Sequence, residues 1–247
     1  MAKFAVILPA AGKSSRFSMQ KRKKPFVELK GRPVWVRAAE IFLNRDDVTQ
    51  VILVVSSEDL DWVKEKFRAN LAFMNIEIVE GGAERFESVQ KGLARVKTDV
   101  DFVAVHDAAR PLLVKEWIDT LFVQAEKSGA VIPAIPESDT LKRVGSNRTI
   151  TETVPREGLW RAQTPQIFRR QLLMDAFARR GSLAATDEAS LVENLGHPVT
   201  IVEGWPMNLK ITTFADFKMA EALVDALPRP KTFGGLHPFA DESPRLL

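Results

Sequence analysis

The sequence predicts an α/β fold built on a doubly wound, mostly parallel sheet, and two observations carry that expectation. Short apolar runs of strand length alternate with helical patterns along most of the chain, the arrangement that gives right-handed crossovers between parallel strands. The opening run, Phe4 to Leu8, is continuously apolar, as expected of a strand buried on both faces. With 247 residues, 45% apolar and 27% charged, the chain has the composition of an ordinary globular protein and can bury a sizeable core.

In chain order, the first strand ends in Pro9-Ala10-Ala11-Gly12, a loop of small residues where a ligand can lie against backbone N–H groups. Lys13, Arg16, Lys23 and Lys24 then supply positive charge. Gly12-Lys13-Ser14 imitates the end of a phosphate-binding P-loop, but Ala5 to Leu8 stand where its first glycine belongs, so a P-loop is rejected. Residues 13–32 hold eight basic side chains and one acidic one, in a chain of net charge +3. Charge focused on one loop favours a compact polyanion over a nucleic acid, whose binders spread basic and aromatic residues along a face.

Strands follow at Val51–Val55, Ile76–Val79, Phe102–Val105 and Ala130–Ile135, with helical patterns at about 33–44, 58–69, 84–96 and 115–128. Ligands in such sheets bind at the carboxyl ends of the strands. After the third strand, Gly81 and Gly82 permit close backbone approach, and Ser88 is a hydrogen-bonding group suited to a base edge. After the fourth comes His106-Asp107-Ala108-Ala109-Arg110-Pro111. Asp107 is a candidate Mg²⁺ ligand beside phosphates or, alternatively, a helix N-cap. His106, pointing to the opposite face, reads as a structural histidine. Asn208 to Thr212 reads as a short strand whose Lys210 either snorkels or reaches a phosphate site.

The alternation breaks at 137–157. Thr140 to Val144 and Thr149 to Val154 flank the turn-forming Gly145-Ser146-Asn147-Arg148, predicting a β-hairpin too polar for a core. It is either an arm that pairs with another subunit or a solvent-exposed hairpin without a partner. Residues 1–227 form one domain that includes this arm, and the proline-rich 228–247 form a tail.

Other function classes fare badly. There are no cysteines, hence no disulfides, thiolate catalysis or cysteine-ligated zinc. No metalloprotease His motif, no Gly-x-Ser-x-Gly elbow and no membrane-length apolar run are present, and the opening residues lead one to expect no signal peptide and a cytoplasmic location. The remaining inventory of lysines, arginines, backbone amides and aspartates suits phosphoryl or nucleotidyl transfer, which rests on positioning and charge stabilisation.

Taken together the motifs resemble the 2-C-methyl-D-erythritol 4-phosphate cytidylyltransferase family. The resembling segments are Pro9 to Arg16, Lys24, Gly81 to Ser88, His106 to Pro111, Asp139-Thr140, Arg156 to Trp160, Thr164 to Gln166, Thr186 to Ser190 and Asn208 to Thr212. The resemblance implies a Rossmann-like nucleotidyltransferase fold with a projecting β-arm. It also implies Mg²⁺-dependent transfer of CMP from CTP to a sugar-alcohol phosphate. Arg16, Lys24 and Lys210 would be catalytic. Ala10, Ala11, Gly12, Gly82, Ser88 and Asp107 would bind the nucleotide. Asp107, Arg110, Thr140, Arg156, Thr164 and Thr186 would bind the second substrate, with the arm of a homodimer completing the neighbour's site. Where the family reads Pro-Lys-Gln, this chain has Lys23-Lys24-Pro25, so either lysine could serve. A ribitol 5-phosphate cytidylyltransferase shares many of these loops and is the alternative, and a non-catalytic nucleotide-binding regulator is a third reading.

Overall fold

The computed structural model describes residues 1–12 and 23–228. Lys13, Arg16 and the rest of the basic loop up to Arg22, and the tail beyond Pro228, lie outside the described residues. The elements are β1 (Phe4–Pro9), β2 (Glu28–Leu29), β3 (Arg32–Pro33), α1 (Val34–Leu43), β4 (Val48–Val55), α2 (Ser57–Lys66) and α3 (Arg68–Phe73). They continue with β5 (Ile76–Glu80), α4 (Arg85–Leu93), β6 (Phe102–Val105), α5 (Lys115–Ser128), β7 (Ala130–Pro136), β8 (Leu141–Val144) and β9 (Ile150–Val154). The last are β10 (Trp160–Ala162), β11 (Gln166–Arg169), α6 (Arg170–Ala178), α7 (Glu188–Asn194), β12 (Thr200–Glu203) and α8 (Phe214–Leu223).

The main sheet runs β10-β7-β11-β6-β1-β4-β5, with β12 also pairing β7. β1 lies parallel between β4 and β6, and β5 extends the sheet parallel to β4. Side-chain alternation along β1 divides the core into two layers. Phe4, Val6 and Leu8 face α1 and α5 through Trp35, Phe42, Ile118 and Leu121. Ala5 and Ile7 face the other side, where Val89 of α4 and Leu173 of α6 cover them. Phe4 to Leu8 are wholly buried, and each large apolar side chain so enclosed contributes about 1.5–3 kcal/mol. The helical pattern at 58–69 resolves into two helices, because the chain turns at Phe67, whose ring packs against Phe26 and Trp35.

β11 enters the sheet antiparallel, between β6 and β7. Four residues with Gln166 and Arg169 at the ends carry no apolar run long enough to announce a strand. The predicted hairpin is present as β8 and β9, with Leu141 opposite Val154 and Arg143 opposite Glu152. It pairs only with itself among the described strands, and Arg143 Nε meets Glu152 Oε2 at 2.7 Å across it.

One predicted element is absent. Residues 208–212 form an irregular segment, not a strand. The backbone there is spent elsewhere: Ile211 N–H donates to the Ala109 carbonyl at 2.9 Å, and Thr212 N–H donates to Asp216 Oδ2 at 2.8 Å, at the start of α8. No ladder can form from amides already committed in this way.

Candidate active site

The loops after the carboxyl ends of β1, β5 and β6 open onto a cleft of about 370 Å³. Its floor is Pro9, Ala10, Ala11 and Gly12, and one wall is Gly82 to Arg85 with Ser88. Lys24, Pro25, Asp107, Ala109 and Lys210 complete the lining. Loops separated by two hundred residues therefore meet at one place, as expected for the strand ends of a parallel sheet.

The glycine wall is sterically required. A Cβ on Gly81 would sit 2.7 Å from Ser88 Oγ and 2.9 Å from Ala11 Cβ, and one on Gly82 would sit 2.3 Å from Glu87 Cβ. Gly81 N–H donates to the Val55 carbonyl at 2.6 Å, which stitches the wall to the end of β4. Glu87 Oε2 accepts from the N–H groups of Ala83 at 2.7 Å and Glu84 at 3.2 Å, fixing the entry to α4. Ser88 Oγ accepts from Gly82 N–H at 3.1 Å and donates to the Glu84 carbonyl at 3.1 Å. Of the two roles open to Ser88 at a base edge, donor and acceptor, the first is taken up by the backbone. Its hydroxyl keeps acceptor capacity only.

At the opposite side, Asp107 is the hub of the cations. Its Oδ2 lies 2.7 Å from Lys210 Nζ and 3.7 Å from Arg110 Nε, and its Oδ1 lies 3.3 Å from Arg85 Nε. Burial alone would raise this carboxyl, but Arg85, Lys210 and Arg110 outweigh it and hold Asp107 well below the usual carboxylate range. Asp107 is not a helix N-cap, since the chain after it turns and enters no helix before Lys115. Nor does it fit a metal ligand in this arrangement, because both oxygens face cations. Among the described residues no group of three metal-ligating side chains forms.

Arg85, inside the Gly81 to Ser88 segment, has no role assigned from sequence and yet sits at the centre of the ion pairs. Its guanidinium grips Glu188 bidentately at 2.6 and 3.0 Å while its Nε points to Asp107. Burial would depress Arg85, yet Glu188 first and Asp107 second raise it above its ordinary value. Gln166 braces Glu188 from behind: its Oε1 accepts the N–H groups of Glu188 and Ala189, each at 3.0 Å. Residues 103 positions apart leave no local signal of such a pair.

Behind the cleft, His106 is wholly buried in a chain of hydrogen bonds. Asp107 N–H donates to Thr164 Oγ1 at 3.1 Å, and Thr164 Oγ1 lies 3.1 Å from His106 Nδ1. His106 Nε2 lies 3.0 Å from the Arg110 carbonyl, which can only accept. The tautomer follows: Nε2 carries the proton and Nδ1 accepts from the threonine hydroxyl. Burial pushes the imidazole down to about 4, so it is neutral. Thr164, expected to touch substrate, is instead buried behind Asp107. Arg110 donates from Nη1 to the Asn208 carbonyl at 2.6 Å, linking the loop after β6 to the Lys210 segment.

The two lysines separate cleanly. Lys24 lines the cleft, whereas Lys23 turns to α2, where its Nζ lies 2.7 Å from Asp59 Oδ2. Thr186 is exposed two residues before Glu188, and Thr140 and Arg156 are exposed on the arm, away from this chain's own cleft. Arg156 Nη1 donates to the Ser138 carbonyl. Ala10, Ala11, Gly12, Gly82, Ser88, Asp107, Lys24 and Lys210 are thus brought together, and Arg16 lies outside the described residues.

The family model for 2-C-methyl-D-erythritol 4-phosphate cytidylyltransferase matches residues 4–226. The chain is 40% identical over 235 residues to the 2-C-methyl-D-erythritol 4-phosphate cytidylyltransferase of Rhodopirellula baltica, covering 91% of this chain and 96% of that one. It is 43% identical over 217 residues to a bifunctional IspD/IspF enzyme of Desulfotalea psychrophila, covering 88% of this chain but only 55% of that relative. A solved 4-diphosphocytidyl-2C-methyl-D-erythritol synthase superposes with a TM-score of 0.76 at 35% identity, covering 91% of this chain and 100% of that one. With the match running from the first strand past the last helix, the chain belongs to the 2-C-methyl-D-erythritol 4-phosphate cytidylyltransferase family.

Proposed function

We infer that this protein transfers CMP from CTP to 2-C-methyl-D-erythritol 4-phosphate, giving 4-diphosphocytidyl-2-C-methyl-D-erythritol and pyrophosphate in isoprenoid precursor synthesis. A phosphate oxygen of the second substrate attacks the α-phosphorus of CTP. The new phosphorus–oxygen bond forms as the bond to the β-phosphate breaks, and pyrophosphate leaves with that electron pair. The nucleophile is a phosphate whose second pKa is near 6, so it is ionised at neutral pH and needs no general base.

The observation that carries this reading is the convergence of Lys24 and Lys210 on a cleft floored by Ala10 to Gly12. Both ammonium groups would neutralise charge gathering on the α-phosphate and the departing pyrophosphate, with Arg16 assisting from the basic loop. The backbone of Ala10, Ala11, Gly12 and Gly82, with Ser88 as an acceptor, would hold cytidine. A cytosine amino group is a donor where uracil has a carbonyl, so an acceptor at Ser88 favours CTP over UTP. Asp107 and Arg110 would orient the polyol phosphate, Asp107 through Lys210. Magnesium is proposed as a companion of the triphosphate, not a resident of the protein, since the oxygens of Asp107 are already engaged.

The arm is proposed to reach a second copy of the chain, bringing Thr140 and Arg156 to the neighbour's polyol phosphate. Supporting this are the exposed apolar side chains of Val144 and Ile150 on the hairpin, 52% and 59% accessible. Pyrophosphate release with CTP, measured in parallel with methylerythritol 4-phosphate and ribitol 5-phosphate, tests the assignment. Turnover is expected with the first, and turnover with ribitol 5-phosphate alone would overturn it.

A further inference from the structure

We propose that Lys23 is a positioning residue that acts through its neighbour, locking the backbone so that the Lys24 ammonium is presented to the cleft. Lys23 Nζ donates to Ser56 Oγ at 2.8 Å and lies 2.7 Å from Asp59 Oδ2 and 3.4 Å from Glu58 Oε2. Ser56 Oγ in turn donates to Asp59 Oδ2 at 2.6 Å, closing a three-membered polar network. Ser56 is the N-cap of α2, yet its side chain makes no capping bond to the helix. A cap serine usually accepts from an amide of the first turn, so here that acceptor has been diverted to the lysine.

This tie differs from an ordinary surface ion pair, whose contribution is slight. The side chains of Lys23 and Asp59 are only 17% and 20% accessible. Three residues on, Phe26 is 3% accessible and packs edge-on against Trp62 of α2 at 5.5 Å, with Phe67 at 6.1 Å. Lys24 is therefore bracketed by two anchors on the same helix, a polar one at 23 and an aromatic one at 26. The same end of β4 that leads into Ser56 also receives Gly81 N–H through the Val55 carbonyl. One rigid strand end thus fixes both the lysine turn and the glycine wall opposite it.

Charge reinforces the geometry. Two consecutive lysines could compete for the triphosphate, but Asp59 and Glu58 neutralise Lys23 outside the cleft. Lys23 carries no charge to the reaction, and its task is where it holds position 24. The inference rests on the reading of Lys24 as a residue that touches CTP.

The test is a set of variants assayed for kcat and KM with CTP, each checked for its melting temperature. Lys23→Ala and Asp59→Asn should each lower kcat about tenfold with melting temperature nearly unchanged, and Lys23→Arg should recover most of the loss. Lys24→Ala should lower kcat further, and adding Lys23→Ala to it should cost nothing more, because the intermediary is gone. Lys23→Ala and Asp59→Asn variants within twofold of the parent would overturn the proposal. So would a Lys23→Ala loss that multiplies that of Lys24→Ala. A fully active Lys24→Ala variant would instead remove the role given to Lys24, and the inference with it.

Discussion

Thr164 Oγ1 stands 3.1 Å from His106 Nδ1 and receives the Asp107 N–H at the same distance, so one hydroxyl joins the buried imidazole to the cleft's carboxylate. The hydroxyl has a single proton, and the amide has claimed one of its lone pairs. A protonated His106 would confront that oxygen with a second donor and put a charge in a wholly buried place.

His106 should therefore make stability depend on pH. Its folded value of about 4 is below the ordinary 6.5, so the unfolded chain binds the extra proton first. The contribution is full above about pH 6.5, declines as pH falls toward 4, and is gone below that, amounting to about 3 kcal/mol. Urea titrations between pH 4 and 7 should show a flatter profile for His106→Gln than for the parent. Parallel profiles would contradict the assignment of a neutral imidazole.

Lys210→Gln should lower kcat by about 10²-fold, the usual cost of removing one charge-stabilising donor. Thermal stability should change little, because Asp107 retains Arg85 and Arg110. A variant that retains kcat but binds CTP weakly would move Lys210 from the transition state to simple binding.

Glu188→Ala should destabilise the fold by about 3 kcal/mol, since it strands the Arg85 guanidinium without its bidentate partner. Glu188→Gln should cost less, keeping an acceptor for one N–H. Denaturant midpoints order the three proteins, and equal midpoints would show that solvent takes over the guanidinium.

Gly82→Ala should raise KM for CTP about tenfold and cost about 1–3 kcal/mol of stability. The contact of 2.3 Å is with Glu87 Cβ, which no rotamer change can move. The first turn of α4 must shift instead. Calorimetry with CTP would show the loss as weakened binding.

Ile150→Asp should convert a dimer to a monomer in sedimentation experiments, with activity falling in step, if the arm completes the neighbouring site. A monomeric parent would remove the arm from the reaction.

The fold was legible where burial writes itself into runs of residues. Phe4 to Leu8 and Phe102 to Val105 are buried throughout and read directly as parallel strands. Lys115–Ser128 emerged with the boundaries its pattern predicts. β11 was hidden because its apolar content is two residues, and its antiparallel place between β6 and β7 is a tertiary choice. The site was legible as a set of loops but not as a circuit. Asp107 and Lys210 could be named from their neighbours in sequence, whereas Arg85 with Glu188, and Thr164 behind Asp107, depend on contacts that sequence spacing does not encode. Lys210 misled as a strand residue because its flanking apolar side chains are buried by packing against α8, without any ladder.

The ring of Arg85, Arg110 and Lys210 around Asp107 makes the resting cleft a place already occupied by negative charge. If Lys210 serves the triphosphate as proposed, arrival of the nucleotide is an exchange of anions, in which the lysine gives up a carboxylate for a phosphate. On that reading the carboxylate, held through its own amide by Thr164, would be at hand to take the ammonium back once pyrophosphate departs. Loading and unloading would then differ by the swing of one long side chain, with the protein's own carboxylate as the stand-in between turnovers.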